Sequence, residues 1–287
     1  MSRRDPTIDE IVARIWPGGV DSVERLGGGI TNHNFKVIVG GERFALRVGG
    51  KDTELLGIDR ALEHQATRAA AVLGLGPDVV AFAETDGYLV TAFVEGETAG
   101  IGSVSPGEAA SLLRRLHAAP PIPGRFDAFR VVETYADTAR TAGVDLPKGF
   151  EAAKETADRI EQRRGPVELR PCHNDLLAAN FIRDGERLWI VDWEYAGMGD
   201  PAFDLANFAV NHELDEHGDR ALLHAYGGAD LEIHTLLRFM SDFREAMWGV
   251  VQEAVSSLEF DFEEYAGEHF ARLQRTASEP RFRRALG

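Results

Sequence analysis

One cysteine, Cys172, stands in 287 residues, which excludes an internal disulfide framework and a zinc site built from cysteines. Its neighbour His173 raises the idea of a thiol nucleophile. Catalytic Cys–His pairs are usually assembled from distant positions, however, so a small buried strand residue is the expectation. Long apolar runs are missing too. None approaches the length that crosses a bilayer, and the opening "MSRRDPTIDEIVARIW" lacks the apolar core of a signal peptide. A cytoplasmic protein with no membrane partner is expected. Basic residues are scarce: 31 Lys and Arg against 47 Asp and Glu leave a formal charge of −16. That argues against nucleic acid as a partner, and its field favours a small cationic one. Repeats and low-complexity tracts are absent.

What is present is ordinary globular composition, 44% hydrophobic and 27% charged, in a chain long enough for two lobes. Residues 6–16 read as a short helix. "DSVERL", "NFKVIVG" and "ERFALRV" read as strands, the second and third joined by a tight turn at Gly40 and Gly41. Residues 53–74 place Leu55, Ile58, Leu62, Ala66, Ala69 and Leu73 at helical spacing, which predicts one continuous amphipathic helix. "DVVAFAE" and "GYLVTAFV" complete a five-strand antiparallel set. A polar hinge near residues 95–100 then separates an N-terminal lobe, residues 1–95, from a mostly helical lobe, residues 96–287. The fold class is therefore α+β, two-lobed, with a cleft between the lobes.

Two polar runs carry the chemistry. "HNDLLAAN" sets His173, Asp175 and Asn180 on a loop between short strands. Phosphoryl transfer needs a carboxylate beside the attacking hydroxyl and oxygen ligands for magnesium close by. Asp175 suits the first task, and the Asn180 carbonyl suits the second. Twelve positions after Asn180, "IVDWEYAG" ends an apolar strand at Asp192, where a carboxylate is costly without a cation. Asp192 is the second expected magnesium ligand, and Glu194 and Tyr195 follow it. Asp204 reads as a helix cap or a brace for the catalytic loop. In the other lobe, Gly27, Gly28 and Gly29, followed by Thr31 and Asn32, are placed to meet nucleotide phosphates through backbone N–H groups. Arg47 points from the third strand to the same cleft, with Glu63 to orient it. Taken singly, each has a structural reading: a turn, a surface Arg, a solvated Glu. Their joint order favours a magnesium–ATP site.

The blocks "LGGGITNHNFKV", "FALRV", "LGLGP", "HNDLLAANF" and "DWEYAG" resemble, in order, those of the choline/ethanolamine kinases within the aminoglycoside-phosphotransferase-like group. The resemblance implies a protein-kinase-like fold and ATP-dependent, magnesium-dependent phosphorylation of a small alcohol. It matches Arg47 to the family's phosphate-clamping Arg, Glu63 to its helix Glu, and Asp175, His173, Asn180 and Asp192 to its catalytic set. Adenine is then expected at the hinge, along Phe93 and Glu95. The stretch "MWGVVQEAVSSLEFDFEEYAGEHF" looks like that family's ammonium-pocket segment, matching Trp248, Phe260 and Tyr265, with Tyr195 as a further wall. Two departures stand out: Glu245 where many choline kinases carry a second Trp, and Phe262 in place of a Tyr. Choline is the expected acceptor, with ethanolamine or another amino alcohol as the alternative. A kinase for another hydroxyl compound, a non-catalytic pseudokinase and a metal-dependent hydrolase are the rival readings. Monomer and homodimer both fit.

Overall fold

The computed structural model describes residues 7–27, 32–50, 53–84, 87–256 and 260–287. Helix α1 (Ile8–Ile15) starts at a reciprocal cap between Thr7 and Glu10. Strands β1 (Ser22–Arg25), β2 (Asn32–Val39) and β3 (Glu42–Gly49) form a meander. Gly40 and Gly41, at φ +58° and +84°, make the tight β2–β3 turn that only a pair of left-handed residues allows. With β4 (Val79–Ala83) and β5 (Tyr88–Ala92) they build an antiparallel sheet in the order β1-β2-β3-β5-β4. The inner face packs Val37, Leu46 and Val90 against Ile11 and Val12 of α1.

The continuous helix expected over residues 53–74 is interrupted. Residues Thr53–Leu56 make a 3₁₀ turn, and Gly57 turns the chain at φ +75°. Asp59 then caps α2 (Arg60–Val72) by accepting from the Ala61 and Leu62 N–H groups. The apolar spacing hid this break, because Leu56 and Ile58 are buried through the turn while Leu55 faces solvent. The restart puts Arg60 in the first turn of α2, beside Glu63.

The chain crosses to the helical part through Gly96, at φ +138°, where an added Cβ would sit 2.3 Å from the Arg183 carbonyl. Strand β6 (Glu97–Thr98) pairs with β8 (Phe181–Asp184), which pairs with β9 (Arg187–Ile190). Strand β7 (Arg170–Cys172) pairs with β10 (Gly197–Gly199). Helix α3 (Pro106–His117) is capped by Ser105 and has Pro106 in its first turn. It is followed by α4 (Ala128–Ala142), α5 (Phe150–Arg164), α6 (Pro201–Asn211) and α7 (Glu216–Tyr226). Helices α8 (Leu231–Val255), α9 (Phe262–Ser278) and α10 (Pro280–Leu286) complete the chain. Residues 239–252 of α8 are buried on every side, so α8 is the axis of the helical part. No described helix is long and apolar enough to cross a membrane.

One core residue makes a pH prediction. His212, at the end of α6, stacks on Phe208 with ring centroids 4.0 Å apart and meets Phe181 edge-on. Among the described residues neither ring nitrogen has a partner, and burial lowers its pKa to about 4. Between that value and the ordinary histidine value, the unfolded chain binds a proton that the folded one refuses. Stability therefore falls as pH drops through this window, by about 2 kcal/mol between pH 7 and pH 5. His212→Phe keeps the stack and should flatten that part of a urea-denaturation pH series. An unchanged slope would show that His212 does not carry it.

Candidate active site

The loop after β7 is fixed before any ligand arrives. Asp204, in the first turn of α6 and fully buried, accepts the His173 N–H at 2.9 Å and the Asn174 N–H at 2.7 Å. Asn174 holds a left-handed φ of 68°, which Asn tolerates and which this pair of hydrogen bonds secures. His117 of α3 meets Asp204 Oδ2, the oxygen that also takes the His173 N–H, at 3.0 Å, and its other nitrogen meets the Tyr226 hydroxyl at 2.7 Å. His117, Cys172 and Asp204 bring three potential metal-ligand atoms within 4.8 Å of one another. Both Asp204 oxygens are spent on N–H donors, however, so this is a hydrogen-bonded brace. Cys172 is buried, and burial pushes its thiol pKa up, which fits a packing residue and not a nucleophile.

His173 was expected among the catalytic groups. Its Nδ1 accepts from the Asp175 N–H at 3.2 Å and its Nε2 donates to the Val191 carbonyl at 3.1 Å. Burial lowers its pKa to about 4, so the ring stays neutral. With both nitrogens committed, His173 ties the loop to the segment after β9 and is not a proton carrier.

Asp175 is buried between two donors. Arg244 of α8 donates from Nη2 to Asp175 Oδ1 at 2.9 Å and to the Asn174 carbonyl at 2.7 Å. Asn180 donates to the Asp175 carbonyl at 2.8 Å and to Oδ2 at 3.3 Å, which leaves the Asn180 carbonyl oxygen for a cation. Burial raises the Asp175 pKa to about 7, with Arg244 pulling it down and Glu245 pushing it up. A carboxylate poised there suits a general base at neutral pH. Asp192 lies two residues beyond β9 at φ +63°, in the left-handed region that Asp adopts more readily than most residues. Burial raises its pKa, and the neighbouring Asp175 charge raises it further against the pull of Arg47. Asn180 and Asp192 thus offer hard oxygen donors of the kind magnesium takes.

Across the cleft, Arg47 of β3 pairs with Glu63 and stands 3.4 Å from Asp192 and 3.6 Å from Glu194. Glu63 is buried, not solvated. Arg60, which the sequence reading missed, bridges Glu63 at 2.8 Å and Glu194 at 3.1 Å and donates to the Asn32 side chain at 2.8 Å. Asn32 in turn donates to Glu194 at 2.9 Å. Asn32 was expected at the phosphates and Glu194 at the acceptor. Both side chains join this network, Glu194 through one oxygen. Of the glycine-loop residues, Gly27 is described, while Gly28, Gly29 and Thr31 lie outside the described residues. At the hinge, the Phe93 N–H is taken by the Arg43 carbonyl at 3.1 Å. Glu95 is exposed and paired with Arg43 at 2.8 Å.

The expected acceptor pocket is a packed cluster. Trp248, buried on α8, donates to the Tyr195 hydroxyl at 3.0 Å and meets Phe262 and Tyr265 edge-on. Tyr265 donates to Glu245 at 3.0 Å. Glu245 does not face solvent: it is buried and pairs with Arg244 at 2.8 Å. The Arg244 guanidinium carbon lies 4.9 Å over the Tyr195 ring. Phe260 stands at the exposed rim, touching Phe262 and Tyr265. A cavity of about 600 Å³ opens between the turn before α2 and helix α4, with Leu62, Tyr135, Glu194 and Tyr195 on its wall. Its lining includes neither Asp175 nor Asp192.

Arg244 and Arg60 are the functional-site residues that sequence reasoning did not find. Neither sits in a motif, and each acquires its role from partners far along the chain. The only signal was indirect. Buried carboxylates at Asp175 and Glu194 demanded cations.

Residues 22–240 match the model of the phosphotransferase enzyme family, APH. A choline/ethanolamine kinase family protein from Mesorhizobium loti has a crystal structure 33% identical in sequence, covering 97% of each chain, with a TM-score of 0.82. The choline kinase LicA from Streptococcus pneumoniae shares the fold at a TM-score of 0.83, with 24% identity over 94% of this chain and 98% of that one. Protein LicA of Haemophilus influenzae is 27% identical over 209 residues, 69% of this chain and 61% of that protein, so the match spans about three fifths of that relative's length.

Proposed function

This chain belongs to the phosphotransferase enzyme family and, within it, to the choline/ethanolamine kinases; from that premise we propose that it transfers the ATP γ-phosphoryl group to the hydroxyl of a small amino alcohol. The observation that carries the reading is Asp175, a buried carboxylate held on one oxygen by Arg244 and on the other by Asn180, on a loop braced by Asp204. In the step, the acceptor oxygen bonds to the γ-phosphorus as the bond to the ADP oxygen breaks. Asp175 orients the hydroxyl and takes its proton. Arg47, held by Glu63, steadies the phosphates from β3. Asn180 and Asp192 are the residues that would hold magnesium, which neutralises phosphate charge when bound. We place the lobe boundary at residues 95 and 96, with the nucleotide in the N-terminal lobe and the acceptor against the helical one.

A choline reading rests on the aromatic residues Trp248, Tyr265 and Tyr195, each of which already has a partner within the chain. Ethanolamine is a second reading, favoured by a specific observation: Glu245, with Tyr265 on one oxygen and Arg244 on the other, stands where many choline kinases carry a tryptophan. ADP release with magnesium–ATP against choline, ethanolamine, thiamine, an aminoglycoside and no acceptor tests the proposal. The expected result is turnover with the amino alcohols. Phosphate release without any acceptor would favour a hydrolase and overturn the kinase assignment.

A further inference from the structure

A cationic head group can be held in two ways. If it carries N–H bonds, carboxylate and phenolic oxygens can accept them. If it is quaternary, it needs aromatic faces and diffuse negative charge. Beside Asp175 the structure offers these resources unequally, because a residue of the protein has already taken some. The Arg244 guanidinium lies over the Tyr195 ring at 4.9 Å and pairs with one oxygen of Glu245 at 2.8 Å. It is buried, so no solvent screens its charge from a neighbour. Trp248, the other aromatic surface, is packed edge-to-face against Phe262 and Tyr265. What is left to a head group is acceptor capacity: the hydroxyl oxygens of Tyr265, which donates to Glu245, and of Tyr195, which accepts from Trp248, and the lone pairs that Glu245 does not spend on Tyr265 and Arg244.

From this arrangement we infer that Arg244 determines acceptor specificity. By holding the Tyr195 face and one side of Glu245, it leaves hydrogen-bond acceptors in place of a π surface, so the site selects a protonated amine with N–H groups over a quaternary ammonium. The inference rests on the amino-alcohol kinase reading above. It also explains why Glu245 and Arg244 stand side by side. The carboxylate compensates the guanidinium, and together they form the polar end of the acceptor site.

The test is the series ethanolamine, N-methylethanolamine, N,N-dimethylethanolamine and choline, assayed by kcat/KM on the unaltered protein and on R244L. On the unaltered protein kcat/KM should fall along the series, with ethanolamine about tenfold or more above choline. In R244L the loss of the Asp175 contact lowers turnover for every acceptor alike, so the readout is the ethanolamine-to-choline ratio, which should narrow by about tenfold. Choline equal to or better than ethanolamine on the unaltered protein overturns the inference. An unchanged ratio in folded R244L does the same. Turnover of none of the four, with another hydroxyl compound accepted, overturns the amino-alcohol reading itself and this inference with it. If R244L does not fold, the series on the unaltered protein still overturns the inference when choline equals or exceeds ethanolamine.

Discussion

Asp175→Asn should lower kcat by about a thousandfold while leaving the melting temperature and ATP affinity close to those of the unaltered protein. The amide matches the carboxylate in shape: its oxygen still accepts from Arg244 at 2.9 Å, and only the longer 3.3 Å contact from Asn180 is given up. What is lost is the capacity to take the acceptor's proton, and with it the base that burial holds near neutral pH. Single-turnover measurement with saturating ATP separates this from a binding defect. A variant that still turns over at a tenth of the normal rate or faster would remove Asp175 from the chemistry.

The largest expected stability effect lies away from the reacting atoms. Asp204→Ala leaves the buried N–H groups of His173 and Asn174 and the His117 ring without their acceptor. Each such loss costs about 1–3 kcal/mol, so the variant should be destabilised by about 3–5 kcal/mol. Asp204→Asn restores one acceptor oxygen and should recover part of that. Urea denaturation of both variants checks it. A loss below about 1 kcal/mol in the alanine variant would mean that the loop is held by something other than this brace.

Much of this architecture can be read in the chain before its structure is seen. Alternating apolar residues around a glycine pair specify the β2–β3 hairpin, and the Ser105–Pro106 signal specifies the start of α3. The magnesium-ligand candidates and the proposed base are legible because one short segment carries all three, Asp175, Asn180 and Asp192. The rest is opaque for physical reasons. Apolar spacing through residues 53–74 looks helical whether or not Gly57 breaks it, since the 3₁₀ turn buries Leu56 and Ile58 as a helix would. Arg60 and Arg244 are ordinary surface-type residues in sequence. Their roles exist only because folding brings Glu194 to one, from 134 positions away, and Asp175 to the other, from 69. His173 misleads in the opposite sense, since a His beside an Asp suggests proton transfer until both ring nitrogens are seen to be bonded.

Helix α8 meets the rest of the site through Ser241 to Asn207, Arg244 to Asp175, Glu245 to Tyr265 and Trp248 to Tyr195. These four contacts fall within two turns of a rod with about 3.6 residues per turn, so they share a rotational phase. One residue inserted ahead of Ser241 would rotate everything after it by about 100°, swinging the guanidinium off the proposed base and the indole off its phenol together. The middle of α8 can therefore change by substitution but not by a change of length, whatever the loops around it allow.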